Sequence, residues 1–188
     1  GCLPVKRSKL SKKALTFFAP AIAEVTCLSF EDVYAGKLCA ALDRQHPRDL
    51  FDVKVLLENQ GMGEMLRKVF LAYLCQSNRP MAELLDPRFE SLDEDFSDEF
   101  SGMVDESVEL SDLVKIQREL PRLLRRTITG SEKEFLLSFK DGLPQWTKLG
   151  LGDLSHLPGI QWKLLNLKKI KPDRHRAAVA KLEKVLSS

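Results

Sequence analysis

The side chains best suited to chemistry lie close together along the chain: Lys37, Arg44, Arg48, Asp49 and Asp52. Lysine and arginine are the usual protein contacts to phosphate, and carboxylates hold metal ions or pair with these cations. A turn that ends at Pro47 separates a predicted helix carrying the lysine from a second predicted helix that begins Arg-Asp-x-x-Asp. The layout therefore predicts a crevice between two short helices, with cations and carboxylates pointing into it.

Lys37, Ala41 and Arg44 recur at helical spacing, so both cations share one face of the first helix across a small residue. A compact, mobile lysine at this point suits a phosphate contact in a cleft. A surface lysine whose stem lies along apolar neighbours fits the same pattern equally well. The residues alone leave both readings open.

Asp49 and Asp52 are three residues apart and could hold a metal ion, but such pairs more often cap a helix or form ion pairs. The structural alternative is a network, Arg44–Asp49 and Arg48–Asp52, that only fastens the two helices together. His46, in the turn, is predicted to be a turn or surface histidine rather than a general base.

Hydrophobic periodicity predicts a mainly α fold with extended structure only near the N-terminus. We expect strands within residues 3–9 and 22–29, and an acidic loop or meandering surface connection over residues 86–105. Val33 is expected in the buried stripe of the first helix, Ser111 is expected to cap the long helix, and Pro121 to kink it. The predicted helices span residues 30–43, 47–59, 64–76, 112–129, 131–141, 157–169 and 173–186.

Charge is unevenly distributed, although the formal net charge is only +2. Residues 86–112 carry eleven carboxylates against Arg88 alone, whereas residues 161–188 carry eight cations against two acids. A further basic group falls between positions 115 and 126. These groups either compensate one another within the molecule or form a basic face for an RNA or an acidic partner.

Composition excludes several classes of protein. The 188 residues suffice for one good core, and no apolar run approaches the length of a membrane span. The four cysteines are scattered, with no CxxC pair, which is typical of buried or half-buried thiols in a reducing cytoplasm. Neither a phosphate-binding glycine loop nor a zinc-protease or serine-hydrolase motif is present, so any enzyme reading depends on the charged crevice.

Residues 28–52, which read LSFEDVYAGKLCAALDRQHPRDLFD, resemble the lysine-containing and Arg-Asp-x-x-Asp motifs of the nucleotidyltransferase-like AbiEii/AbiGii toxins. These are the toxins of type IV toxin–antitoxin, or abortive-infection, systems. The similarity continues through residues 78–87 (NRPMAELLDP), 135–140 (FLLSFK) and 162–167 (WKLLNL). It therefore covers nearly the whole chain from about residue 24.

The resemblance implies a polymerase-β-like nucleotidyltransferase with a helical C-terminal region, which binds NTP and Mg²⁺ and transfers a nucleotide to RNA, in some relatives to the tRNA 3′ end. It implies catalytic roles for Lys37, near the triphosphate, and for Asp49. Arg44 and Arg48 would bind substrate, with Asp52 supporting them. An antitoxin is the implied protein partner.

The chain departs from the family pattern upstream, because the family's Gly-rich turn and Asp-x-Asp metal pair are missing and Glu24 is the only acid in residues 1–28. We therefore expect the C-terminal part of such an enzyme, with no metal or cofactor site of its own and no activity alone. Residues 1–29 would be a strand remnant of the catalytic domain, and residues 30–188 a helical domain with an acidic connection at about 86–110.

Two further expectations follow from the same reading. The alternative function is a non-catalytic helical module that binds RNA or an antitoxin through its basic faces. Loss of an upstream half would also expose apolar side chains and favour self-association. Those side chains are Leu15, Phe17, Phe18 and Ile22.

Overall fold

One small sheet lies near the N-terminus of a molecule that is otherwise mainly helical. The computed structural model describes residues 1–11, 24–100, 102–103 and 108–188. Strands β1 (Lys6–Lys9) and β2 (Glu24–Cys27) pair antiparallel, with Lys6 opposite Cys27. The mainly α class and the extended N-terminal segments are confirmed. The apolar side chains expected to drive self-association, at positions 15 to 22, lie outside the described residues.

Helices make up most of the rest of the described chain. They are α1 (Phe30–Asp43), α2 (Pro47–Asn59), α3 (Glu64–Gln76), α4 (Met81–Leu85), α5 (Asp93–Asp95), which continues into a π-helical turn (Phe96–Phe100), α6 (Leu110–Thr127), α7 (Gly130–Lys140), α8 (Trp146–Leu149), α9 (Pro158–Leu167) and α10 (Pro172–Ser187). None of them is long and apolar enough to span a membrane, within the part of the chain that is described.

The first two helices begin and end where the sequence predicts. Ser29 caps α1, because its hydroxyl accepts a hydrogen bond from the backbone N–H of Asp32 at 3.0 Å. Pro47 occupies the first turn of α2, where its missing N–H has no helical partner to lose. Helix α2 ends at Asn59, just before Gly61, which adopts a positive φ of 67°.

Helix α3 is the centre of the core and packs against α1, α4, α7 and α9. Its buried residues are not confined to one stripe: Leu66, Val69, Phe70, Leu71, Ala72, Leu74 and Cys75. Such an all-round apolar helix must be covered on several sides, which the surrounding helices do. Burial of each large side chain contributes roughly 1.5–3 kcal/mol. Helix α1 is therefore held on a rigid support.

Asp32 ties the first residues of the chain to the N-terminus of α1. Its buried carboxylate accepts hydrogen bonds from the backbone N–H of Cys2 at 2.5 Å and of Leu3 at 3.0 Å, and from the hydroxyls of Ser29 and Tyr73. Burial opposes the charged form, but these four hydrogen bonds outweigh it and lower the pKa of Asp32. The carboxylate is thus a charged anchor.

Three local expectations are wrong. Val33 is 39% exposed and does not belong to the buried stripe of α1. The acidic segment is not wholly a loop, since α5 and the π-helical turn lie within it and bury Phe100 against the core. Ser111 does not cap α6, which begins at Leu110 after Glu109 without any side-chain cap. Pro121 lies inside α6, and the kink expected there stays a prediction.

Candidate functional site

Two ion pairs join α1 to α2 across the predicted crevice. Lys37 Nζ donates to Asp52 Oδ2, and the two side chains are 35% and 30% exposed. Arg44, the residue that follows α1, pairs with Asp49 at the turn between the two helices. Lys37 and Arg44 are seven residues apart, about two helical turns, and the two aspartates share a face of α2, so the pairs lie in one row along the helix–helix contact.

The Arg44–Asp49 pair is asymmetric. Both hydrogen bonds come from one nitrogen, Arg44 Nη2, which lies 3.0 Å from Asp49 Oδ1 and 2.8 Å from Oδ2. The arginine side chain is 67% exposed, whereas the aspartate side chain is 11% exposed. In the described part of the chain the rest of this guanidinium makes no hydrogen bond. Arg44 therefore keeps donors available to a second anion.

Arg48 does not pair with Asp52 as the structural alternative supposed. Its Nη2 lies 3.0 Å from the sulfur of Met103, a weak acceptor, and the residue is exposed. Its backbone N–H donates to His46 Nδ1 at 3.2 Å, so His46 caps α2. With Nδ1 accepting, the ring proton sits on Nε2, which faces Glu99 Oε2 at 2.9 Å. His46 is thus a turn histidine, as expected.

A hollow of about 480 Å³ opens at the end of the hairpin. The residues that line it are Arg44, His46, Arg48, Asp49, Asp98, Glu99 and Met103. Three of the five predicted site residues therefore come together here, and Lys37 and Asp52 do not line this hollow. Lys37 lies seven residues from Arg44 along α1, a separation of about 10 Å at the helical rise.

Gln45 sets the direction of the turn, and the sequence reading missed it. It is buried, with 2% of its surface exposed, and has a positive φ of 54°, the only such non-glycine residue described. Its side chain donates to Arg88 O at 2.7 Å and accepts from Gln117 Nε2 of α6 at 2.8 Å. These bonds hold a conformation that is unfavourable for a residue with a side chain.

The turn itself carried a signal that could have identified this residue. Only Arg44, Gln45 and His46 separate the end of α1 from the start of α2. So tight a reversal after a helix commonly needs one residue in the left-handed region. Glu99 and Met103 were missed for a different reason, since they reach the hollow from more than 50 positions away and no local pattern marks them.

The described residues do not by themselves fit a two-magnesium centre. No three of their histidine, cysteine or acidic side chains converge in a way that could hold a metal ion. Asp49 and Asp52 each already face a cation. The hairpin itself offers two exposed guanidinium groups beside a buried carboxylate, and Asp98 and Glu99 add two further carboxylates to the lining of the hollow.

Comparison with known proteins agrees with the motif reading. A family profile described as nucleotidyl transferase AbiEii toxin, type IV TA system, matches residues 4–127. That match spans most of the chain and includes both helices of the hairpin. No curated protein and no solved structure matches the chain significantly. The chain belongs to the AbiEii family of nucleotidyl transferase toxins of type IV toxin–antitoxin systems.

Proposed function

We propose that the α1–α2 hairpin supplies the phosphate-contacting side of a site that transfers a nucleotide from NTP to RNA, with the tRNA 3′ end as the acceptor. Family membership gives the class of chemistry. The observation that supports the location is the hollow in which Arg44 and Arg48 expose guanidinium groups next to buried Asp49. Arg44 and Arg48 would bind the substrate.

Nucleotide transfer depends mainly on positioning and on stabilising the negative charge that spreads over the phosphate oxygens. Cations that are fixed before the substrate arrives supply that stabilisation without reorganisation. Lys37 would contact the triphosphate after exchanging Asp52 for phosphate, and Asp52 would hold it in place beforehand. The separation of Lys37 from Arg44 suits an extended polyphosphate rather than one isolated phosphate.

Mg²⁺ would neutralise phosphate charge in nucleotide transfer of this kind, but the described residues do not offer a set of ligands for it. Both carboxylate oxygens of Asp49 accept hydrogen bonds from Arg44, so within this chain Asp49 would hold Arg44 in position rather than bind a metal ion. We therefore propose that the chain alone does not transfer nucleotides. We also propose that it works in the cytoplasm and is opposed by an antitoxin.

The test is incorporation of radiolabelled NTP into tRNA by the isolated chain with Mg²⁺. We expect no incorporation above the background of a protein-free reaction. Robust incorporation that is lost in Lys37→Ala would show that the chain is active alone and would overturn this part of the proposal. Lys68→Ala is the matched control, because Lys68 is also a helical lysine in an ion pair, with Glu64, away from the hairpin.

A further inference from the structure

Helix α6 presents a row of cations to solvent. Lys115, Arg118, Arg122 and Arg126 recur at intervals of three and four residues, and all four are exposed. Their spacing places them on one face, opposite the buried face of the helix, over a length of about 16 Å. We call these four residues the α6 stripe.

Among the described residues, no carboxylate of the acidic segment forms an ion pair with the α6 stripe. Over the described ranges of the chain, none of the four stripe side chains forms an ion pair, that is, none has a nitrogen within 4.0 Å of a carboxylate oxygen. Glu90 and Asp93 line the same cavity as Arg118 but make no ion pair with it. The acids that do form pairs have other partners: Asp86 pairs with Arg125, and Glu99 with His46. The four cations therefore have no ion-pair partner in the part of the chain that is described, and Glu119 is an exposed acid that shares their face of α6.

Arg125, the fifth cation between positions 115 and 126, differs from the four stripe residues because it is used inside the protein. Arg125 turns inward, where its Nη1 donates to the carbonyl oxygen of Leu85 and lies 3.4 Å from Asp86 Oδ1. It is structural, as its 14% side-chain exposure indicates. The four stripe residues have no such role in the described part of the chain, so their charges are free for a partner.

We propose that the α6 stripe docks the sugar–phosphate backbone of a double-stranded RNA stem. The fully exposed side chains of α6 are polar or charged, and the half-buried Ile116 and Leu123 line one pocket of about 340 Å³ beside Arg122 and Arg126. A protein interface needs a larger apolar, charge-poor centre. Single-stranded RNA is normally held by several aromatic side chains on which successive bases stack. Residues 110–127 contain no aromatic residue, and Phe89, which is 47% exposed in the pocket that Arg118 also lines, is a single ring. A rigid row of cations without stacking groups matches duplex phosphates, read by shape and charge.

The stripe is firmly connected to the hairpin. Helix α6 packs on α2 and on α1, and Gln117 on its buried side donates to Gln45 in the turn. An RNA stem held on α6 would thus be fixed relative to the hollow. The inference rests on the proposed function only in choosing RNA as the polyanion, since the charge and exposure of the stripe stand by themselves.

The experiment measures binding of a fluorescent RNA hairpin with a stem of about 16 base pairs, the span of a typical duplex-binding domain. The protein is the whole chain, without nucleotide, and salt is varied. Four phosphate contacts on a duplex predict a slope of about 3.6 in log Kd against log salt, so binding weakens about 150-fold between 50 and 200 mM. Replacing all four stripe residues with Gln should reduce the slope to below 1 and weaken binding at least 10-fold at low salt.

The matched control removes four exposed cations from another face: Lys168, Lys169, Lys171 and Arg174, each replaced with Gln. An equal loss in this control would overturn the proposal, since net charge rather than the stripe would then decide binding. Polyglutamate competing as well as RNA would also overturn it, in favour of an acidic protein. So would absence of RNA binding.

If the fourfold variant does not fold, the single variants Arg122→Gln and Arg126→Gln carry the test. Each should lower the slope by about 1. An unchanged slope in both would overturn the proposal. Because no nucleotide is present, failure here would leave the proposed nucleotide site untouched. Failure of NTP binding at the hairpin would likewise leave this result intact.

Discussion

The Arg44–Asp49 pair gives the sharpest energetic prediction, because its two members differ so much in exposure. Arg44 is 67% exposed, and water screens its charge, which keeps the coupling energy within the range for exposed pairs. Because Asp49 is only 11% exposed, the coupling energy should lie at the upper end of that range, about 1 kcal/mol. Asp49 also lies in the first turn of α2, where a negative charge contributes roughly another 0.5 kcal/mol.

A double-mutant cycle isolates this coupling. Arg44→Gln should lower the free energy of unfolding by about 1 kcal/mol and Asp49→Asn by about 1.5 kcal/mol, and the double variant should cost no more than Asp49→Asn alone. Urea unfolding measures all four proteins. For a chain of this size, 1 kcal/mol also corresponds to a shift in Tm of about 2–4 °C.

A coupling of about 3–5 kcal/mol would refute the reasoning. That magnitude belongs to a buried clamp, whose loss leaves an uncompensated charge inside the protein, and it would favour the purely structural reading of the hairpin. The control cycle uses Arg176 and Asp173 of α10, whose side chains are 77% and 90% exposed. Its coupling should be close to zero.

Three further predictions concern positions away from this pair. Gln45→Ala and Gln45→Gly remove the same hydrogen bonds, but only alanine keeps the left-handed strain, so the glycine variant should be about 1 kcal/mol more stable in urea unfolding. Glu132 is 2% exposed and accepts both hydrogen bonds from Arg67 Nε, so Glu132→Ala should lower the free energy of unfolding by about 3–5 kcal/mol. Thr129→Ala, at its capping-box partner, should lower it by only about 1 kcal/mol, and equal losses would contradict this ranking. The pKa of Asp32 is lowered in the folded state, so its contribution is complete above the unfolded value and is lost as pH falls through the folded one. Asp32→Asn should therefore flatten the loss of stability below about pH 4, and an unchanged acid limb in urea titrations would contradict that sign.

Local pattern was enough to predict most of the scaffold. Ser29 before acidic residues, Pro47 at a helix start and Gly61 just after a helix end each encode a boundary through backbone chemistry that needs no tertiary context. Val33 shows the limit of prediction from local pattern. Helical spacing tells which residues share a face, but not how wide a strip of that face the neighbouring helices cover.

The site was harder to predict than the helices. Charge type and spacing identified the cations and carboxylates of the hairpin, and the Arg44–Asp49 pair was foreseen as one alternative. The partner of Lys37 was not, because a long lysine can reach several positions on the facing helix. Glu99 and Met103 come from a distant segment, and only the packing of the π-helical turn brings them to the hollow.

The central claim is that the hairpin binds polyphosphate, and NMR titration of the isotopically labelled chain with NTP tests it most directly. Shifts should concentrate at Lys37, Arg44, Arg48 and Asp49, and Lys37→Gln should weaken binding about 10- to 100-fold, as loss of one charge-assisted contact does. Lys68→Gln should bind like the unmodified chain. Shifts centred elsewhere in the molecule, or equal affinity for the Lys37 variant, would contradict the account.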